Sequence, residues 1–225
     1  MHPVPTFRVR PKRPATSPGE AEAGAWVVPV MSGLESAFCR SAPWRWFARR
    51  AVLPWALCGR SLSGEVLEIG GGSGAMAAGV ASSFPHIQLT TIDLDADMVR
   101  AARSALGGHS NVTVGAADVT ALPFDDGSFD TVTSYLMLHH VIAWKDALRE
   151  VARVLRPGGA FVGYDLTKRR LARALHTADR SPHHIIAPEE LTLGLRNAGF
   201  LEVDVRPTLA GHVMRFRAVT TDDPA

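Results

Sequence analysis

The stretch "GEVLEIGGGSGAMAAGVASSFPHIQLTTIDLD", residues 64–95, carries the reading of this chain. Val66 to Ile69 is a short run rich in β-branched residues that ends in a glycine cluster, and it reads as a buried strand. Ser73 to Ser83 is built from small residues and reads as a helix, and Ile87 to Ile92 as a second strand that ends in Asp93. Strand, glycine turn, helix and strand make a βαβ unit of the nucleotide-binding kind. Which nucleoside such a turn would hold is the question the rest of the chain has to answer.

The same alternation continues downstream. Asp95 is placed to cap a helix running to about Leu106, which Gly107 and Gly108 end. Val112 to Val114 reads as a strand, Phe129 to Tyr135 as a strand, Trp144 to Leu155 as a helix and Pro157-Gly158-Gly159 as a turn. Ala160 to Leu166 is a strand and Pro188 to Ala198 a helix closed by Gly199. Leu201 to Val205 and Val213 to Val219 are two consecutive strands. Alternation followed by a β pair predicts an α/β fold: a doubly wound, mainly parallel seven-stranded sheet, Rossmann-like, with one antiparallel strand near the C-terminus.

Upstream, residues 1–30 are rich in proline and poor in large apolar groups, and they read as a disordered extension. Residues 31–63 read as an N-terminal helical lid or substrate segment, "GLESAFCRSAPWRWFARRAVLPWAL", with a break and restart at Ser41 and Pro43 and a further start or kink at Pro54. Its Trp44, Trp46, Phe47 and Trp55 either line a substrate pocket or pack the segment onto the domain that follows, residues 64–225. Met31 is an alternative natural start.

Composition narrows the partners. The 225 residues are 46% hydrophobic and 20% charged, with a formal net charge of +2. Such a balance gives no electrostatic footprint for nucleic acid. No apolar run approaches the roughly 18 residues of a membrane span. Two cysteines make neither a disulfide framework nor a metal cluster, and they point to a reducing, cytoplasmic setting. No histidine pair has metal-ligand spacing with cysteine company, so no metal site is expected.

The glycines do not choose the nucleoside. Gly70, Gly72 and Ala75 satisfy G-x-G-x-x-G/A, and Asp93 supplies the acidic residue about twenty positions on. A nicotinamide-dependent oxidoreductase therefore stands as an alternative, as does a non-catalytic nucleoside-binding protein. Three features tilt the choice. Glu68, an anion at the end of the first strand, would repel a pyrophosphate but suit a ligand bearing an ammonium and a sulfonium. Asp118, in "AADVTALPFDDGSFDTVTSY", ends the third strand, where its carboxylate can accept from an exocyclic adenine amine. The two consecutive C-terminal strands do not belong to the usual dinucleotide layout.

With "LEIGGGSG", "TIDLD", "ADVTALPFDDGSFD", "LHHV" and "LRPGG" in this order, the chain resembles the class I S-adenosylmethionine-dependent methyltransferases of small-molecule type, strongly over Gly64 to Gly159. The resemblance implies that Gly70 and Gly72 form the turn under the methionine part, with Glu68 near its amino group. It implies that Asp93 holds both ribose hydroxyls, that Leu94 packs on adenine with Met98 on the adenine side, and that Asp118 and Val119 read the adenine edge. Tyr135 would flank the methionine part.

Methyl transfer from a sulfonium is an in-line displacement, so the protein mainly positions the nucleophile, and a base is needed only if that nucleophile must lose a proton. His139 and His140, after the fourth strand, are the candidate bases, one of them alternatively structural. Asp165, ending the fifth strand, and His183 and His184, in "DRSPHHIIAPEE", are candidate substrate contacts. "SYLM" after the fourth strand lacks the Asn/Asp-Pro-Pro-aromatic tetrapeptide of adenine amino-methylating enzymes, and no Pro-Cys nucleophile is present. The expectation is a small-molecule O-, N- or C-methyltransferase using S-adenosylmethionine, acting on a partly apolar acceptor, with a homodimer left open.

Overall fold

The computed structural model describes residues 42–57, 59–167 and 184–221. In chain order a helical segment comes first: α1 (Ala42–Phe47), a π-helical turn (Ala48–Val52) and α2 (Leu53–Ala56). The βαβ unit follows as β1 (Glu65–Ile69), α3 (Ala75–Ser83) and β2 (Gln88–Asp93). Then come α4 (Ala96–Leu106), β3 (Val112–Ala116), β4 (Phe129–Tyr135), a 3-10 turn (Leu138–His140) and α5 (Trp144–Val154). The chain continues through β5 (Leu155–Leu166), α6 (Pro188–Asn197), β6 (Glu202–Thr208), a second 3-10 turn (Leu209–Gly211) and β7 (Val213–Val219).

The strands form one seven-stranded sheet in the order β3-β2-β1-β4-β5-β7-β6. β1 pairs in parallel with β2 and β4, β2 with β3, and β4 with β5, while β7 runs antiparallel to both β5 and β6. Six parallel strands and one antiparallel strand near the C-terminus are the architecture the alternation predicts. The order reverses between β1 and β4, so the carboxyl ends of these strands border the crevice where doubly wound sheets bind ligands.

Side-chain alternation along the strands divides the core. Val66, Leu89, Tyr135 and Tyr164 face α3, α4 and the helical segment, in a cluster with Leu53, Ala56, Leu57 and Leu62. Leu67, Ile92, Val132 and Phe161 face α5 and α6, with Leu148, Val151, Leu191 and Leu195. Leu53, Ala56, Leu57 and Leu62 thus share a core with β1, β2, β4 and β5. Arg215 on β7 fastens this segment: its Nη1 donates to the Trp55 carbonyl at 3.0 Å and its guanidinium lies 5.7 Å from the Trp55 ring centroid.

Two local expectations are corrected. Pro157-Gly158-Gly159 is not a turn ahead of the fifth strand. β5 already starts at Leu155, opposite Phe129, and the glycines sit within a register shift, with Gly158 N–H donating to Thr221 and Gly159 accepting from Thr220. Gly107 does not end α4 by the left-handed route, since its φ is −58°. Asp95 does cap α4, accepting from the Asp97 and Met98 amides.

Candidate active site

The glycine turn is held by short backbone bonds. Gly71 N–H donates to the Ile92 carbonyl at 2.9 Å and Gly74 N–H to the Gly71 carbonyl at 3.0 Å. Gly70 and Gly72 both have positive φ, +67° and +53°, but for different neighbours. A Cβ on Gly70 would collide with the Met137 side chain, whereas one on Gly72 would meet nothing within 4 Å. Gly70 is therefore demanded by packing, and Gly72 presents backbone to open space.

Asp93 joins the turn to the end of β2. Its Oδ2 accepts from Gly72 N–H at 2.8 Å and its Oδ1 from Asp95 N–H at 2.9 Å. Burial raises its carboxyl above the ordinary range, and the amides of Asp95, Gly72 and Leu94 pull it back. Leu94, the next residue, is 50% exposed, and Met98 is buried in the first turn of α4. One strand over, Ala117 N–H donates to the Asp93 carbonyl at 3.1 Å. Exposed Asp118 follows, its Oδ1 accepting from both the amide and the hydroxyl of Thr120. Val119 packs partly against the core on the α5 side.

Beneath the turn, Glu68 is 2% exposed and its Oε2 has no partner among the described residues. Burial pushes its carboxyl up to about 8, a hydrogen bond from Thr91 lowers it and the Asp93 carboxylate raises it. Tyr135 is also buried, and its hydroxyl is likewise unpartnered among the described residues. Burial raises this phenol above its ordinary range, and the nearby Glu68 adds to the rise. An unmet buried polar atom costs about 1–3 kcal/mol, and these two stand at the neighbouring ends of β1 and β4. Tyr164 flanks Tyr135, ring centroids 5.7 Å apart, and Trp55 flanks Tyr164 at 5.2 Å. Leu136, directly after Tyr135, has a φ of +54°, a strained value for leucine, and is anchored by its N–H to the Tyr164 carbonyl.

The loops after β4 and β5 meet through a buried pair. His139 Nδ1 and Asp165 Oδ1 are bonded, and His139 N–H donates to Asp165 Oδ2 at 3.1 Å. Leu166 N–H donates to Asp165 Oδ1 at 2.6 Å. With exposures of 3% and 1%, both residues are interior, and Asp165 stands behind His139 instead of lining a mouth. His140 is half-buried, its ring centroid 4.0 Å from that of His139. His184 is exposed, stacks near Trp144 and donates its N–H to the His139 carbonyl at 2.8 Å. His183 lies outside the described residues, and so does the side chain of Trp44. Trp46 and Phe47 are exposed, 64% and 48%, and among the described aromatic side chains of this segment it is Trp55 that packs on Tyr164.

Residues 67–163 match the family model described as "Methyltransferase domain". The chain is 33% identical over 202 residues to a demethylmenaquinone methyltransferase of Clavibacter sepedonicus, covering 78% of this chain and 79% of that protein. The chain belongs to the class I S-adenosylmethionine-dependent methyltransferases. It is an enzyme of small-molecule methylation, and the oxidoreductase and binding-protein alternatives find no support. A malonyl-[acyl-carrier protein] O-methyltransferase of Geobacter sulfurreducens is 32% identical over 152 residues, 63% of this chain and 57% of that one. In fold, the chain resembles phosphoethanolamine N-methyltransferase 2 of Haemonchus contortus, solved with S-adenosylhomocysteine. The TM-score is 0.66 at 19% identity, covering 78% of this chain and 53% of that one.

Family membership implies S-adenosylmethionine, and the residues fit it. An unpartnered buried carboxyl suits an ammonium, and an open Gly72 backbone admits close approach. Sequence reasoning missed Thr91, Met137 and Tyr164. Each touches the site through a partner on another element, and no local pattern signals that.

Proposed function

We propose that this enzyme binds S-adenosylmethionine across the carboxyl ends of β1 to β4 and methylates a carbon or oxygen of a small, partly apolar acceptor. The observation that carries the reading is the pair of unpartnered buried polar atoms, Glu68 Oε2 and Tyr135 hydroxyl, beside the glycine turn. When bound, S-adenosylmethionine supplies a methyl group already activated by its sulfonium. Glu68 accepts from the ammonium end, Asp93 from the ribose hydroxyls, and Asp118 with the Val119 amide engages the adenine edge, with Leu94 against its face. Asp93 already accepts two amides, so it meets the ribose pre-oriented.

On the acceptor side, Asp165 holds His139 Nδ1 protonated, which leaves Nε2 as the proton-accepting nitrogen. His139 is the base and His140 flanks it. The relatives' names, a ubiquinone/menaquinone biosynthesis C-methyltransferase and a malonyl-[acyl-carrier protein] O-methyltransferase, support methyl transfer to carbon or oxygen, and a base serves those acceptors whose accepting atom must lose a proton.

The test is an acceptor-library screen read by S-adenosylhomocysteine release. With the acceptor found, His139→Ala should lower kcat about a hundredfold, the range of a lost general base. S-Adenosylmethionine affinity should stay within a few-fold, and His140→Ala should retain most turnover. Full turnover in both variants from pH 6 to 9 would leave positioning alone as the mechanism, and release with no acceptor class would overturn the reading.

A further inference from the structure

One turn of α5 is bonded to the loop between β3 and β4 with unusual density. Glu150 Oε2 accepts from Leu122 N–H at 2.7 Å. Arg153 Nη2 donates to the Leu122 carbonyl at 3.0 Å, and Arg153 Nη1 to the Phe124 carbonyl at 2.8 Å and to Asp126 Oδ1 at 2.7 Å. Gly127 N–H donates to the Arg153 carbonyl at 3.0 Å. The two side chains are themselves paired twice: Arg153 Nε donates to Glu150 Oε1 at 2.8 Å and Nη2 to Glu150 Oε2 at 2.7 Å. Both are about three-quarters buried, with side-chain exposures of 24% and 22%. Asp126 is 66% exposed, so its pair adds little, and the backbone bonds are the substance of the staple.

The stapled segment is continuous with Asp118. Thr120 bonds the Asp118 carboxylate by amide and hydroxyl, and Ala121 N–H donates to the Asp118 carbonyl at 3.1 Å. Leu122 follows at once, buried in the core. At the other end, Ala117 N–H is fixed to the Asp93 carbonyl. The loop is thus tied on both sides of Asp118 and Val119, to β2 upstream and to α5 downstream.

We propose that Glu150 and Arg153 are positioning residues for the nucleoside base, holding residues 117–127 so that the Asp118 carboxylate and the Val119 amide keep the spacing that selects adenine. The planar fork of Arg153 reaches two carbonyls while remaining locked on Glu150, which a lysine's point charge does not reproduce. The inference rests on the proposed reading of the adenine edge by Asp118.

The experiment compares calorimetric Kd values for S-adenosylhomocysteine and S-inosylhomocysteine, in which a carbonyl replaces the exocyclic amine. They are measured in the full-length wild type and in Arg153→Met and Glu150→Gln, with folding checked by circular dichroism. The wild type should prefer the adenine compound by about tenfold or more, as a site built to receive an amine donor does. Both variants should lose most of that preference, since a displaced loop no longer distinguishes the two bases. A merely structural staple would lower Tm and leave the ratio unchanged, and that result in a folded variant overturns the inference alone. If Arg153→Met fails to fold, the milder Glu150→Gln decides. A wild type with no preference would overturn the Asp118 reading, and the inference with it.

Discussion

Glu68 shows how one residue's environment encodes its partner. A carboxyl raised to about 8 is protonated at neutral pH, and an arriving ammonium would ionise it. The sign for stability follows from linkage. The folded pKa lies above the ordinary 4.5, so the contribution to stability is full below about 4.5 and is lost as pH rises through about 8. Asp93, also raised, acts in the same direction, while Thr91 and Tyr135 are the other polar groups facing Glu68. The ligand-free wild type should therefore melt at progressively lower temperature from pH 5 to 9. Glu68→Gln, which cannot ionise, should flatten that decline, raise Tm at pH 8 and weaken S-adenosylmethionine binding about tenfold or more, the loss of a charged hydrogen bond. A pH–Tm profile of Glu68→Gln that overlays the wild type would contradict this. The residue was legible in the sequence as an anion before the glycines. Its unpartnered oxygen was not, because that depends on Thr91 and Tyr135 from neighbouring strands.

Among the elements, the glycine turn divides its labour. Gly70 is required by Met137, which arrives from the loop after β4, whereas Gly72 has open space around it and is favoured by its positive φ. Both have positive φ, so alanine strains either position by roughly 1–3 kcal/mol. Gly70→Ala adds a collision with Met137, and its Tm should fall further than that of Gly72→Ala. Gly72→Ala should instead show the larger loss of S-adenosylhomocysteine affinity per degree of Tm lost, because its Cβ would enter the open space in which the proposed cofactor lies. Equal effects of the two substitutions on melting and on binding, by thermal shift and calorimetry, would contradict the division. Periodicity located β4 and β7 to the residue and placed every other strand, since each is short, β-branched-rich and bounded by turn residues. The start of β5 was not legible: Pro157-Gly158-Gly159 carries turn chemistry, and only pairing with β4 and with Thr220 and Thr221 keeps it in the sheet. Asp165 is a similar case. Strand-end position pointed to the mouth, but His139 claims both its oxygens.

For the whole molecule, the sheet order brings the ends of β2, β1 and β4 side by side, and with them Asp93, Glu68 and Tyr135. The motifs named these residues, and the parallel register brings them side by side: Glu68 is level with Thr91, and Asp93 with Ala116. The helical segment from Leu53 completes the core on the Tyr135 face, which its tryptophans announced without saying which of them would serve. The central claim is that this shared end binds S-adenosylmethionine through a strand-end carboxylate, and isothermal titration of the full-length protein tests it most directly. S-Adenosylhomocysteine should bind and NAD should not, and Asp93→Ala should weaken S-adenosylhomocysteine about ten- to a hundredfold, the loss of charged hydrogen bonds at about 1.5–3 kcal/mol each. An unchanged affinity in a folded Asp93→Ala variant, or tighter binding of NAD by the wild type, would contradict the account.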